Sequence, residues 1–253
     1  MKRLIVNADD YGFTEGISRG IVEACQKGIV RSISILMTHV KKKDLAALKE
    51  LKGVSFGVHL NLTSGKPLLA AREVPSLVDE YGQFYKRWEQ LEKRVNLREL
   101  EKELTAQMDA FASSKLPLCH LDSHHHVHSH ERLLALVMKW ARKLGVALRS
   151  PTRAVCARLK AEKIPTTDAF LYDFYDEPHI TLEGFKGILD RLHDGATELA
   201  CHPGIVGDDL FLETTYSYQR GIELATLTHD ESAKALKTRK IRLISYCELS
   251  GKR

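Results

Sequence analysis

The sequence predicts an α/β protein, an irregular (β/α) barrel of seven or eight mostly parallel strands. Three observations lead there. Short aliphatic runs alternate with stretches of helical period along the chain, the pattern of parallel strands joined by crossover helices. The 253 residues suffice for one full-sized α/β barrel core or two smaller domains. Asp9-Asp10, His59, Asp122 with His124, and His202 all stand at the C-terminal ends of predicted strands. In such a barrel those ends share one face, where active sites sit. Residues 1–253 are accordingly read as one domain, with a long loop insertion at about residues 64–96.

Residues 3–9 form the first expected strand, with an aliphatic middle running into Asp9-Asp10-Tyr11-Gly12. A helix follows from about Thr14 to Lys27, with Ile17, Ile21, Val22 and Cys25 as its apolar stripe and Gly28 as its cap. Ser32 to Met37 reads as a strand, Lys43 to Leu51 as a helix closed by Gly53, and Ser55 to Leu60 as the third strand. Residues 64–96 break the rhythm with Pro67, Pro75 and the turn signal Glu80-Tyr81-Gly82, as binding loops and lids do. Asn96 with Glu99 has capping-box spacing ahead of a helix whose stripe is Leu100, Leu104, Met108 and Phe111.

Leu118 to His124 opens as a strand. Leu133 to Leu144 is a helix stopped by Gly145, and Val146 to Arg149 a strand ended by Pro151. Between 152 and 180 only a strand near Ala169 to Phe174 is discernible. Leu182 to Leu192 is an expected helix and Glu198 to His202 a strand broken by Pro203-Gly204. Thr228 with Glu231 repeats the capping-box spacing before a helix to Lys237, and Ile241 to Tyr246 is the last expected strand.

Composition excludes several classes. Hydrophobic content of 43% and charged content of 28% are ordinary for a globular protein, and the net charge of +5 is modest. Its densest runs, Lys41 to Lys43 and Lys234 to Arg242, fall at helix ends without interleaved aromatics, so they read as solvated faces and not as a nucleic-acid patch. Five scattered cysteines without a C-x-x-C pair argue against a disulfide framework and for a reducing compartment. The N-terminus turns polar too soon for a signal-peptide core, and no window approaches about 18 uncharged apolar residues. A cytoplasmic protein with no membrane or nucleic-acid partner is expected.

The chemistry concentrates in Leu118 to His130, which holds six of the chain's 12 histidines. Read as a strand, it points His120, Asp122 and His124 one way and Cys119, Leu121 and Ser123 the other. Read as a helix, it pairs His124 with His128 at i, i+4. A surface histidine-rich loop is the plain alternative, and the segment alone does not choose. Asp9 and Asp10 can divide metal binding and proton abstraction between them, or simply cap a helix. Alone, His59 fits a hydrogen-bonded core residue and His202 a turn residue. Four segments delivering such groups to one rim are hard to explain as packing.

Four motifs in order, Asn7-Ala8-Asp9-Asp10-Tyr11-Gly12, Gly57 to Thr63 with Gly65-Lys66-Pro67-Leu68, His120 to His128, and Cys201-His202-Pro203-Gly204, give the chain its resemblance. It resembles the YdjC-like carbohydrate deacetylases, which include the chitooligosaccharide (diacetylchitobiose) deacetylases. The resemblance implies a distorted TIM-barrel-like fold related to the polysaccharide deacetylases. It implies an amidohydrolase that removes acetyl groups from N-acetylated amino sugars or short chitin-type oligosaccharides, phosphorylated or not, in carbohydrate degradation. Asp10, His59 and His124 would bind the metal, Asp9 would be the general base, and His202 would serve the leaving amine.

The resemblance also implies Mg²⁺ (magnesium) as cofactor and a homodimer, whereas two imidazoles favour Zn²⁺ or another transition ion. Asp122 is expected behind a ligand imidazole. For the sugar, Tyr81, Phe84, Tyr85 and Trp88 offer flat apolar surface or simply pack the loop. His126 and Arg149 are further substrate-side candidates. Ser18 departs from the Asn carried by some chitobiose-active relatives. The competing readings are a metal-dependent sugar phosphoesterase and a non-catalytic sugar-binding relative.

Overall fold

The structure, a computed structural model, describes residues 1–207 and 214–251. Among the described residues eight strands form one sheet: β1 (Lys2–Tyr11), β2 (Ser32–Ile35), β3 (Ser55–Leu60), β4 (Leu118–Ser123), β5 (Ala147–Leu148), β6 (Ala169–Leu171), β7 (Gly195–Cys201) and β8 (Arg242–Ile244). The order is β5-β4-β3-β2-β1-β7-β6, and β8 pairs with the first half of β1. Every ladder is parallel. Among the described residues no ladder joins β5 to β6, so the curled sheet stays open at that seam. This is the irregular (β/α) barrel that the alternation predicts, and its parallel strands bring their C-terminal ends to one rim.

Strand period sorts the side chains of β1 into two environments. Leu4, Val6 and Ala8 join the main core, which also takes in Ile17, Ile21 and Ala24 of the first helix, α1 (Glu15–Lys27). Ile5, Asn7 and Asp9 face the inside of the curl. Ile5 packs there with Cys119, Ala147, Ala196, Ile244 and Tyr246 in a small apolar floor. Above this floor the interior is polar: Asn7 Nδ2 donates to Ser34 Oγ at 2.8 Å, and Ser34 Oγ donates to Asp122 Oδ2 at 2.6 Å. The apolar floor keeps water from below, so the polar groups above it must satisfy one another.

Helices α2 (Lys42–Leu48), α3 (Trp88–Glu92), α4 (Leu97–Ser114), α5 (Glu131–Leu144), α6 (Arg153–Ala161), α7 (Leu182–Asp190), α8 (Tyr218–Thr228), α9 (Asp230–Thr238) and α10 (Tyr246–Leu249) complete the elements used below. Asn96 caps α4 by accepting from Arg98 N, but Glu99 does not close a box, because its carboxylate accepts from Ser76 N in the long connection. The expected box at Thr228 and Glu231 is also corrected. Thr228 ends α8, its hydroxyl bonded back to Leu224 O, and His229 caps α9 by accepting from Glu231 N. The last expected strand stops at Ile244, since Tyr246 already begins α10. Helices α3, α6, α8 and α10 are not legible in the sequence. Part of the poorly readable stretch 205–225 lies outside the described residues.

The cysteine expectation is corrected in part. Cys119 and Cys247 form a disulfide between β4 and α10, while Cys25, Cys156 and Cys201 are free. A register shift in the β3–β4 ladder, between the pairs Phe56–Leu118 and Gly57–His120, breaks strict alternation at Cys119. Cys119 therefore lands in the apolar floor while Leu121 stays in the main core. No helix among the described residues is long and apolar enough to cross a membrane.

Candidate active site

The rim opens onto a cavity of about 810 Å³ lined by Asp9, Asp10, His59, His124, His126 and His202 together with loop residues. How neighbouring aspartates come to line one cavity is decided by backbone. Asp10 has φ +68°, in the left-handed region, and the β1–β2 register shifts between Ala8 and Tyr11. Such a bulge cancels the alternation that would send the two carboxylates to opposite faces. Asp and Asn tolerate this conformation better than other non-glycine residues. Gly12, at φ +99°, completes the turn where any side chain would collide with Val40.

Asp10, His59 and His124 converge. Asp10 Oδ1 lies 3.6 Å from His59 Nε2 and 3.2 Å from His124 Nδ1. All three ligand atoms lie within 4.8 Å of one another. Asp10 Oδ1 is buried and has no hydrogen-bond partner, whereas Oδ2 accepts from Arg220 Nη2 at 2.8 Å. An ionised, desolvated oxygen facing two imidazole nitrogens fits a divalent cation, which would satisfy it. Burial opposes ionisation of Asp10, yet Arg220 and His124 hold its carboxyl well below the usual range. Burial likewise opposes a charged His59, but Asp122, Asp9 and Asp10 outweigh it and push that imidazole up to about 9. The carboxylates thus create a potential that attracts positive charge.

His59 is aimed from behind. Its Nδ1 meets Asp122 Oδ1 at 2.8 Å, which leaves Nε2 for the cavity. Strand β4 supplies Asp122 and ends at Ser123, so His124 begins a turn in which His125 and His126 both have φ +53°. Neither single-element reading covers the whole histidine run. The strand reading holds up to Ser123. Beyond it His128 turns inward, bonded to Ser123 Oγ at 2.6 Å and to Arg149 O at 3.1 Å.

Asp9 is held apart from this triad. Arg149 Nη1 and Nη2 reach its two oxygens at 2.7 and 2.8 Å, and Asn7 Nδ2 donates at 2.7 Å. Burial works against its charge, but Arg149 and His59 keep it below the usual carboxylate range. The same guanidinium contacts Asp122 at 2.9 Å and Glu198 at 2.7 Å. A second group of donors, Asp9, His59 and Asp122, also lies close together, but Arg149 already supplies positive charge to both of its carboxylates. Glu198 is pushed up to about 7 by burial, against the pull of Arg149, and accepts from Tyr246 OH.

His202 follows β7 and lines the same cavity. Its backbone N–H donates to Glu223 Oε2 at 2.5 Å, and burial pushes its imidazole down to about 4, so the resting ring is neutral. Tyr216 OH donates to the other oxygen of Glu223 at 2.5 Å. Burial pushes Glu223 up to about 8.

The expected sugar contacts are largely corrected. Tyr81 is 74% exposed and off the cavity. Trp88 is buried against His130, its ring stacked at 4.7 Å, where it packs the long connection down. Arg149 is fully buried, pairs with three carboxylates and does not line the cavity, so it is not presented to a substrate. Of the expected contacts Phe84 and His126 line the cavity, His126 beside Phe170 and Tyr172. Ser18 is buried and accepts from Gly12 N, supporting the turn after Asp10. Arg220, Glu223, Tyr175 and Tyr216 were missed, because they come from stretches without a readable period.

Comparison with known proteins agrees with this geometry. The family model described as YdjC-like protein matches residues 3–238. A carbohydrate deacetylase of Geobacillus stearothermophilus is 38% identical over 248 residues, covering 96% of each chain. A chitooligosaccharide deacetylase of Serratia marcescens is 35% identical over 255 residues, covering 98% of this chain and 99% of its own. A solved structure from Enterococcus faecalis, provisionally described as a cellobiose-phosphate cleavage protein, superposes with TM-score 0.90 at 35% identity over 98% of both chains. A family 4 acetyl xylan esterase from Clostridium thermocellum, in complex with a cobalt ion, shares the fold at TM-score 0.54 and 11% identity, over 100% of this chain and 93% of its own. With its four motifs gathered on one rim and residues 3–238 matched by the family model, the chain belongs to the YdjC-like family.

Proposed function

We propose that the protein is a metal-dependent carbohydrate deacetylase that hydrolyses the acetamide of N-acetylated amino sugars or short chitin-type oligosaccharides. The observation that carries this reading is the unpartnered Asp10 Oδ1 facing His59 Nε2 and His124 Nδ1, with Asp9 and His202 lining the same cavity. The relatives named above as carbohydrate and chitooligosaccharide deacetylases support the reaction class.

Asp10, His59 and His124 would hold the cation. When bound, a divalent cation supplies Lewis-acid chemistry, polarising the acetyl oxygen and acidifying a water. Asp9, kept ionised and oriented by Arg149, takes a proton from the water as it attacks the acetyl carbon. Asp122 fixes the tautomer of His59, and Arg220 keeps Asp10 ionised. As the C–N bond breaks, His202 delivers a proton to the departing nitrogen, and acetate and free amine result. Because His202 rests neutral, it takes up a proton from solvent as negative charge grows on the tetrahedral centre and passes it to the nitrogen, while the proton held by Asp9 returns to solvent after acetate leaves.

For the cation, Mg²⁺ is what the resemblance implies. A donor set of two imidazole nitrogens and one carboxylate oxygen suits Zn²⁺ or another transition ion better. A two-metal phosphoesterase is disfavoured because Arg149 already serves the second group of donors. The test is acetate release from N-acetylglucosamine oligomers, with metal content measured on the same samples. Activity should vanish with EDTA and return with one added divalent ion. Acetate release that survives complete metal removal would overturn the reading.

A further inference from the structure

Resting on that reading, we propose that the free face of Tyr175 is the stacking platform for the sugar ring that bears the departing nitrogen. Two tyrosines of the segment after β6 stay exposed while lining the cavity, Tyr172 at 53% and Tyr175 at 46%. They are presented differently. Tyr172 has its hydroxyl pinned to Pro151 O at 2.6 Å, and its ring meets His126 and Phe170 nearly at right angles. Tyr175 lies flat on Tyr216, with centroids 4.2 Å apart and planes 11° from parallel. With one face covered by Tyr216 and almost half its surface exposed, it turns the other face outward.

That face stands beside the proton donor of the proposed reaction. The His202 ring lies 6.0 Å from Tyr175 and 5.8 Å from Tyr216, edge-on to both. A pyranose has one face rich in C–H bonds, which packs on an aromatic ring while its hydroxyls stay wet. A sugar ring lying on Tyr175 would bring its substituent nitrogen toward His202, where a proton is needed.

The platform is also built. Tyr216 is 6% exposed, and its hydroxyl donates to Glu223, the same buried carboxylate that accepts the His202 backbone N–H. One side chain therefore fixes both the ring beneath Tyr175 and the backbone of His202. An exposed aromatic resting on a rigid ring loses little freedom on binding, the economy aromatic residues bring to recognition surfaces.

The experiment uses the full chain carrying Asp9→Asn, whose turnover should be slowed about 10²–10⁴-fold, and measures binding of di-N-acetylchitobiose by titration calorimetry with the divalent ion present. Adding Tyr175→Ala should weaken Kd by about three- to tenfold, and Tyr175→Phe should leave it within about twofold, because the ring and not the hydroxyl is at work. On the otherwise native protein, Tyr175→Ala should raise KM for the same sugar with a smaller effect on kcat. Unchanged binding in Tyr175→Ala, or an equal loss in Tyr175→Phe, overturns the platform even if acetate is released normally. Tyr175-dependent sugar binding by a protein that releases no acetate would uphold the platform and sink the deacetylase reading alone.

Discussion

Arg149 and Asp9 meet in a two-pronged ion pair, Nη1 to Oδ2 at 2.7 Å and Nη2 to Oδ1 at 2.8 Å, across 140 residues of sequence. Both partners are at least 97% buried, and Asp122 and Glu198 crowd the same guanidinium. Lysine at position 149 would keep the charge and lose the fork. Arg149→Lys is expected to fold, bind the cation and lose about 10–10²-fold in turnover, because Asp9 loses its fixed orientation. Arg149→Met should instead lower unfolding free energy by about 3–5 kcal/mol, since three buried carboxylates lose their common cation. Steady-state kinetics and denaturant titration separate the two outcomes.

Metal binding and proton abstraction should come apart by mutation. His124→Ala removes a donor atom and Asp10→Asn removes the ligand charge, so metal content after dialysis should fall toward zero together with activity. Asp9→Asn should retain the ion and lose about 10²–10⁴-fold in kcat. Elemental analysis beside acetate assays checks both, and normal turnover in Asp9→Asn would remove Asp9 from its assigned role.

A third expectation concerns the loop facing the site. Glu103 of α4 is fully buried and accepts from Leu68 N, Leu69 N and Gln107 Nε2, while Gln107 clasps the backbone of Asn61. These bonds pin the stretch leading through Thr63, Ser64 and Gly65, which line the cavity. Glu103→Ala leaves buried donors unmet and should cost at least about 1–3 kcal/mol of stability. KM should rise more than kcat falls, because this loop shapes the cavity without touching the reacting atoms.

Acid should destabilise the protein through its buried histidines. Burial pushes His128 down to about 4, against 6.5 for a free imidazole. Between these values the unfolded chain takes up the proton and the native protein does not, so stability is present above about pH 6.5 and drains away as pH falls toward 4. Replacing His128 by Gln removes that uptake. The slope of unfolding free energy against pH over this window should become shallower by up to about 1.4 kcal/mol per pH unit. An unchanged slope in chemical denaturation series would show that His128 titrates normally in the folded protein.

Much of the barrel and the metal-site candidates was legible because both depend on local pattern. Aliphatic alternation marks a strand wherever it occurs, and parallel strands convert the end of each run into a place on the rim. The histidine run shows where this stops. Its strand half was readable, but the turn through His125 and His126 depends on left-handed backbone that no period announces. Helices α6 and α8 escaped notice for a related reason. Their stripes are short, and in α8 the buried positions include Arg220 and Glu223, which look like surface residues until their partners are known.

The sequence by itself determined the strand–helix alternation, the rim and the residue types delivered to it, since each follows from a few neighbouring side chains. Tertiary structure alone decided that Arg149 serves Asp9 and not a substrate, that Cys119 meets Cys247, and that Tyr175 and Tyr216 replace Tyr81 and Trp88 beside the cavity. The reason is electrostatic and steric. A buried charge is tolerable only where an opposite one meets it, and an aromatic ring is free or covered according to what folds against it. Both conditions are set by residues far away along the chain.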